Sequence, residues 1–166
     1  MSLRELQNII QAGSLPGLIL LYGPESYFVD EGLQAIRNAV VRPEDRDFNL
    51  TQFHGRDFKA IDVIEQARTF PAFVERRLVI IKNVHEASAD QLEGLLPYAE
   101  DPVPETVLLL TAEKIDSRRK IFQVLKKNGT AIEFKKIYEN QLPTFVRDLA
   151  KSFHVTLTNQ GLKLFC

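Results

Sequence analysis

Gly23, Pro24, Glu25, Ser26 and Tyr27 lie between an apolar run at residues 18–22 and a helical pattern, which is where a phosphate-binding loop would sit. In such a loop backbone N–H groups and a Lys cradle phosphates, and a Ser or Thr holds a magnesium ion. Here the required residues are missing. There is no second glycine and no Gly-Lys-Ser/Thr ending, and Glu25 puts negative charge where phosphate would have to come. The acid that would hold magnesium at the end of a partner strand is missing too, because Leu78, Val79, Ile80 and Ile81 run into Lys82 and Asn83. Two independent parts of a nucleotide site are lost together, so nucleotide hydrolysis is not expected. The plain reading is a strand-to-helix turn of no special function.

A second feature is Phe70, Pro71, Ala72, Phe73 and Val74, between a helix stopped by Pro71 and a buried strand beginning at Leu78. A connection of this kind should be polar. Its two phenylalanines either cover the sheet edge as local core or form an apolar contact for a partner. Arg76 and Arg77 follow closely and can reach an acidic rim, although surface arginines are commonly just solvated.

Charge offers a third feature. With 21 Lys and Arg against 22 Asp and Glu, the formal charge of −1 gives no global basic field for nucleic acid. The charges are segregated, however. Residues 83–113 hold seven acids and no Lys or Arg, whereas residues 114–136 hold eight cations against Asp116 and Glu133, so the two blocks can attract one another. A helix capped by Asp116 or Ser117 and running through Lys127 turns Ile121, Val124 and Leu125 inward and leaves Arg119, Lys120, Gln123, Lys126 and Lys127 outside. These cations are the best candidates for contact with nucleic acid or an acidic partner. Without interleaved aromatics for base stacking, a solvated helix face is the favoured reading. His54, His85 and His154 lack ligand spacing, Cys166 is the single cysteine and has no fixed base, and the carboxylates form no acid and base pair. No catalytic residue, metal site or cofactor is expected.

The elements that carry these features alternate. The 166 residues are 45% hydrophobic with 8 Gly and 8 Pro, which suits one to two globular domains and excludes disorder and collagen-like repeats. Strands are expected at 18–22, 48–53, 78–84, 106–111 and 130–137, the third and fourth continuously apolar as in a sheet covered on both faces. Helices are expected at 27–41, after an Asp57 cap with Ile61, Ile64, Ala67 and Val63 inward, at 88–98, and at the basic segment. This is a parallel α/β sheet of five strands. From Tyr138 the pattern is helical only. Leu142, Phe145, Val146, Leu149 and Ala150 form one stripe, and Thr158 caps a further helix with Leu162, Leu164 and Phe165 apolar. That helix stops in mid-pattern, so a truncated chain is expected, with Met1, Ser2 and Leu3 partly vector-derived. The longest apolar runs, 15–22 and 107–110, fall far short of the roughly 18 residues of a membrane helix, and no signal-peptide layout opens the chain. A cytoplasmic location with no membrane partner is expected.

Three segments in this order carry a resemblance. They are Leu20-Leu21-Tyr22-Gly23-Pro24-Glu25-Ser26-Tyr27-Phe28, then residues 69–81 from Thr69-Phe70-Pro71-Ala72-Phe73 to Leu78-Val79-Ile80-Ile81, then Val107-Leu108-Leu109-Leu110-Thr111 with Lys114, Asp116, Arg118 and Lys120. Together they make nearly the whole chain similar to the delta-subunit family of the bacterial DNA polymerase III clamp loader. The resemblance implies a RecA-like AAA+ domain at residues 1–139 with a degenerate nucleotide site. It also implies a truncated helical lid domain at 140–166 and a collar domain beyond Cys166.

The role so implied is noncatalytic. The family binds the ring-shaped sliding clamp and opens it for loading onto primed DNA, beside the loader's ATPase subunits, within a holoenzyme that is a DNA-directed DNA polymerase. In the family a hydrophobic pair, commonly Leu-Phe, enters a pocket on the clamp. By position that pair is Ala72 and Phe73, flanked by Phe70 and Pro71, and Ala72 departs from the usual Leu. Where ATPase subunits carry a Ser-Arg-Cys arginine finger, this chain has Lys126-Lys127-Asn128-Gly129. Two alternatives are an active P-loop ATPase with an unusual loop and a standalone nucleic-acid-binding domain using residues 117–128.

Overall fold

In the computed structural model, which describes residues 3–165, five apolar segments pair side by side as one parallel sheet. The expectations on Met1, Ser2 and Cys166 fall outside the described residues. After α1 (Leu3–Gln11), β1 (Leu18–Tyr22) leads into α2 (Ser26–Val40) and a short α3 (Arg46–Asn49). Then come β2 (Leu50–His54), α4 (Ala60–Arg68), β3 (Arg77–Lys82), α5 (Ala89–Gly94), α6 (Leu96–Glu100), β4 (Thr106–Ala112), α7 (Lys120–Asn128) and β5 (Thr130–Glu133). The strand order is β2-β3-β4-β1-β5, with every neighbouring pair parallel. β4 is buried along all seven residues and β3 along its first five, so side chains of both parities face packed helices. That explains their unbroken apolar sequences.

Several local expectations are corrected. The strand predicted from Phe48 begins at Leu50, because residues 46–49 close a helical turn and leave Phe48 exposed. α4 starts after Lys59 without a side-chain cap, so Asp57 does not cap it. Its buried face is Val63 and Ala67, with Ile61 outside. The helix expected over 88–98 is two pieces. Ser88 and Gln91 form a capping box for α5, and Pro97 sits in the first turn of α6. Asp116 closes the turn ahead of α7 by accepting from the Arg118 backbone N–H at 3.1 Å, and the helix itself starts after Arg119. Ile121 and Leu125 are buried and Val124 packs half-buried against the same core, as expected, and Phe122 joins them there.

The chain divides into two compact units after Phe134. The second holds α8 (Leu142–Ser152) and α9 (Asn159–Phe165). Along α8 the stripe Leu142, Phe145, Val146, Leu149 and Ala150 is half-buried. The Thr158 hydroxyl accepts from the Gly161 N–H at 3.1 Å, an N-terminal cap for α9, and Leu162 is buried while Leu164 points outward. Among the described residues no helix is long and apolar enough to cross a membrane.

Tyr98 is the largest fully buried side chain. Its hydroxyl lies near the Val103 backbone and the Thr106 side chain without hydrogen-bond geometry to either, and burial pushes the phenol above its ordinary value. The unfolded phenol therefore ionises first. The stability linked to Tyr98 is full below about pH 10 and is lost as pH rises toward the folded value. Tyr98→Phe should leave stability at neutral pH unchanged or slightly raised, since it deletes an unsatisfied buried hydroxyl. It should also flatten part of the alkaline loss, as measured by urea melts across the alkaline range.

Candidate functional site

The two edges of a parallel sheet are chemically different, and the turns that follow strands gather at the C-terminal edge. There Gly23 leaves β1 with φ +147°, and its N–H continues the β1–β4 ladder by donating to the Ala112 carbonyl at 3.1 Å. A Cβ on Gly23 would stand 2.0 Å from the Phe134 carbonyl oxygen. The glycine is required by the neighbouring chain, with no phosphate invoked. Glu25 precedes α2 without a side-chain cap, Ser26 and Tyr27 are exposed, and Phe28 stacks on Phe134 with centroids 6.3 Å apart. Counted from Gly23, Asp30 stands at the Ser/Thr position of a phosphate loop. It faces Lys82 at 3.8 Å, the residue at the end of β3 where an acid would help hold magnesium. An internal ion pair thus stands where two metal ligands would be. Among the described residues no group of three His, Cys, Asp or Glu could hold a metal.

The Phe70–Phe73 segment precedes β3 and so lies at the opposite, N-terminal edge. Phe70 is 76% exposed and Phe73 fully so, which overturns local core as the reading of these rings. Asn49, buried at the end of α3, holds the segment by its main chain. Its Oδ1 accepts from the Ala72 N–H at 2.7 Å, while its Nδ2 donates to the Ala72 carbonyl at 2.9 Å and to the Asp45 carbonyl at 3.1 Å. Pro71 and Ala72 are half-buried, so the outward pair is Phe70 and Phe73.

Arg76 and Arg77 brace the same segment from behind. Arg76 Nη1 donates to the Leu15 carbonyl at 2.9 Å, and buried Arg77 donates to Gln66 Oε1 at 3.1 Å and the Thr69 carbonyl at 3.4 Å. Burial lowers the pKa of both guanidinium groups. Phe73 stands between these anchors with φ +62°, a left-handed conformation that costs a non-glycine residue about 1 kcal/mol. Beside it lies a groove of about 390 Å³ lined by Ile10, Leu15, Ala39, Val40 and Val74.

The basic helix is only partly free. Lys120 pairs with Glu100 at 2.9 Å, the single ion pair between the acidic and basic blocks among the described residues. Lys126 lies 3.4 Å from the Ser117 hydroxyl and 5.8 Å above the Tyr22 ring. Arg119 and Lys127 are exposed and make no side-chain hydrogen bond or ion pair among the described residues. His54 and His85 have structural partners, Asn83 and the Glu113 N–H respectively.

The family model for the DNA polymerase III delta subunit matches residues 19–135, which takes in all five strands except Leu18 of β1. The chain belongs to that family. DNA polymerase III subunit delta of Bacillus subtilis (strain 168) is 35% identical over 162 residues, covering 92% of this chain and 47% of that protein. The solved structure of the Bacillus subtilis DNA clamp loader delta protein superimposes with a TM-score of 0.83 at 32% identity, over 96% of this chain and 50% of that one. A DNA polymerase III gamma subunit-related protein of Thermotoga maritima, 14% identical with a TM-score of 0.57 over 92% of this chain and 52% of its own, shares the fold. The five-stranded parallel α/β sheet is thus a fold that this chain shares with those two structures. This delta-family chain spans about half the length of the relatives it matches.

Asn49 is the site residue that the sequence does not announce. Its partner Ala72 lies 23 residues away, and only an Asn placed just before an edge strand hints at it.

Proposed function

We propose that this chain is the clamp-binding part of a noncatalytic clamp-loader delta subunit, which grips the ring-shaped sliding clamp with Phe73 and Phe70 and holds it open for loading onto primed DNA. The observation that carries this reading is Phe73, a fully exposed aromatic ring in a strained conformation on a segment anchored at Ala72 before it and at Arg76 and Arg77 after it. A protein gains nothing alone by showing such a ring to water, whereas a ring inserted into a partner's pocket is the kind of anchor that dominates interface energy. The relatives' names, a DNA polymerase III subunit and a DNA clamp loader protein, support the same assignment. The small helical unit after Phe134 is read as the start of a lid. The free cations Arg119 and Lys127 are read as contacts to DNA in the assembled loader, whose ATPase subunits are the further partners.

Surface plasmon resonance against the immobilised sliding clamp tests this reading. Saturable binding by the wild-type chain is expected, and its absence from well-folded protein would overturn the proposal. The companion expectation is negative. Titration calorimetry with ATP and magnesium should show no saturable heat, because the Gly-Lys-Ser/Thr ending is missing and Asp30 pairs with Lys82. A magnesium-dependent isotherm would revive the ATPase alternative.

A further inference from the structure

Phe48 is a third exposed phenylalanine at the corner of the sheet where Phe70 and Phe73 stand. Residues 46–49 close a helical turn immediately before β2, and that turn leaves the Phe48 side chain 72% exposed. β2 and β3 are parallel neighbours with Leu50 opposite Leu78, so the residues that precede the two strands share the N-terminal edge. A direct link joins them. Asn49, the residue after Phe48, is bonded through both polar atoms of its side chain to Ala72, the residue before Phe73. Phe48 and Phe73 therefore each stand one residue from the same bonded pair. Among the described residues of the first unit, Phe48, Phe70 and Phe73 are the exposed phenylalanines. The other large apolar side chains exposed there, Tyr27 and Ile61, begin helices that follow strands and so lie toward the opposite edge.

We propose that Phe48 is a further contact residue for the sliding clamp, extending the apolar grip of Phe73 and Phe70 across the Asn49–Ala72 bridge. The inference rests on the clamp reading and deepens it. Area calls for more than two rings, because a specific interface takes about 800 Å² from each partner and an aromatic side chain supplies about 150–250 Å². Phe48 is the exposed apolar surface next to them on the β2 side. The charges of this corner select a protein partner over a nucleic acid. Its cations are engaged within the chain: Arg42 pairs with Glu44 and Asp45, Arg46 donates to Asn38 Oδ1 at 2.7 Å, and Arg76 donates to the Leu15 carbonyl. Asp47 beside Phe48 and Glu75 two residues beyond Phe73 are exposed carboxylates, which repel a phosphate chain. Exposed rings without cations to hold a backbone suit an apolar protein surface.

The test is surface plasmon resonance of single variants against the immobilised sliding clamp, with a thermal melt of each. Phe48→Ala should weaken binding about tenfold or more and leave the melt unchanged, because the ring is mostly in water in the free chain. Phe48→Glu should weaken it at least as much, since the contact would have to bury a charge. Ile61→Ala, a similarly exposed apolar residue away from the corner, should bind as the wild type does. A smaller loss from both Phe48 variants, with Phe73→Ala still damaging, overturns the inference and leaves the clamp reading standing. An equal loss from Ile61→Ala also overturns it, by making exposure alone the cause, as does competition by a short oligothymidylate for the chain. No binding by folded wild-type protein removes the clamp reading and this inference together. Sedimentation velocity adds the last outcome: self-association that Phe48→Ala abolishes, with clamp affinity unchanged, would assign the ring to a second copy of the chain and overturn the proposal.

Discussion

Phe73→Ala should lower affinity for the sliding clamp by about 2–4 kcal/mol, a weakening of roughly thirty- to a thousandfold. The size follows from the geometry of the ring. It is fully exposed in the free chain, so its whole apolar area is available to a partner pocket. Truncation should cost the fold nothing, because no core contact is lost. Phe73→Gly sharpens the contrast. It should abolish binding to the same degree while leaving stability unchanged or raised by up to about 1 kcal/mol, since glycine relieves the φ of +62°. An anchor that mattered to the core would show the opposite pattern. Asn49→Ala is the complementary variant. It frees both polar groups of Ala72 and one carbonyl in the turn before β2, so it should lower stability by about 1–3 kcal/mol. Clamp affinity should fall as well, because the segment must then be ordered on binding. Plasmon resonance paired with chemical denaturation separates the three variants.

How much of this was legible beforehand differs between the sheet and the sites. β1, β3 and β4 are legible because burial on both faces requires unbroken apolar sequence, and the Thr158 cap is legible because a cap is a local hydrogen bond. Phe48 misleads, because alternation with Leu50 imitates a strand while residues 46–49 are helical. The loss of a nucleotide site can be read from missing residues, but not what fills it. Asp30 and Lys82 are 52 positions apart in the chain, and only the β1-β4-β3 packing brings them to 3.8 Å. The phenylalanines at 70 and 73 are visible as anomalies in a connection. Whether they face inward depends on Asn49, Arg76 and Arg77, whose partners are all set by tertiary structure.

Gly23→Ala should destabilise the protein by more than about 3 kcal/mol, lowering the melting temperature by roughly 6–12 °C for a chain of this size. Two costs combine. The backbone at φ +147° is a conformation that side-chain-bearing residues rarely adopt, and the new methyl would meet the oxygen, carbon and nitrogen of Phe134 at 2.0, 2.8 and 3.0 Å. None of these is a flexible side-chain end that can swing aside. Relief would require moving β5's exit, which is held by the Phe134 N–H donating to the Tyr22 carbonyl at 2.7 Å. Lys82→Ala should by contrast cost less than about 1 kcal/mol, because its partner Asp30 is largely exposed. Neither variant should change the response to ATP. Thermal melts of the two side by side decide what the glycine is for. A large loss for Gly23→Ala assigns it to the junction of β1 and β5, and a stable variant would return it to phosphate binding.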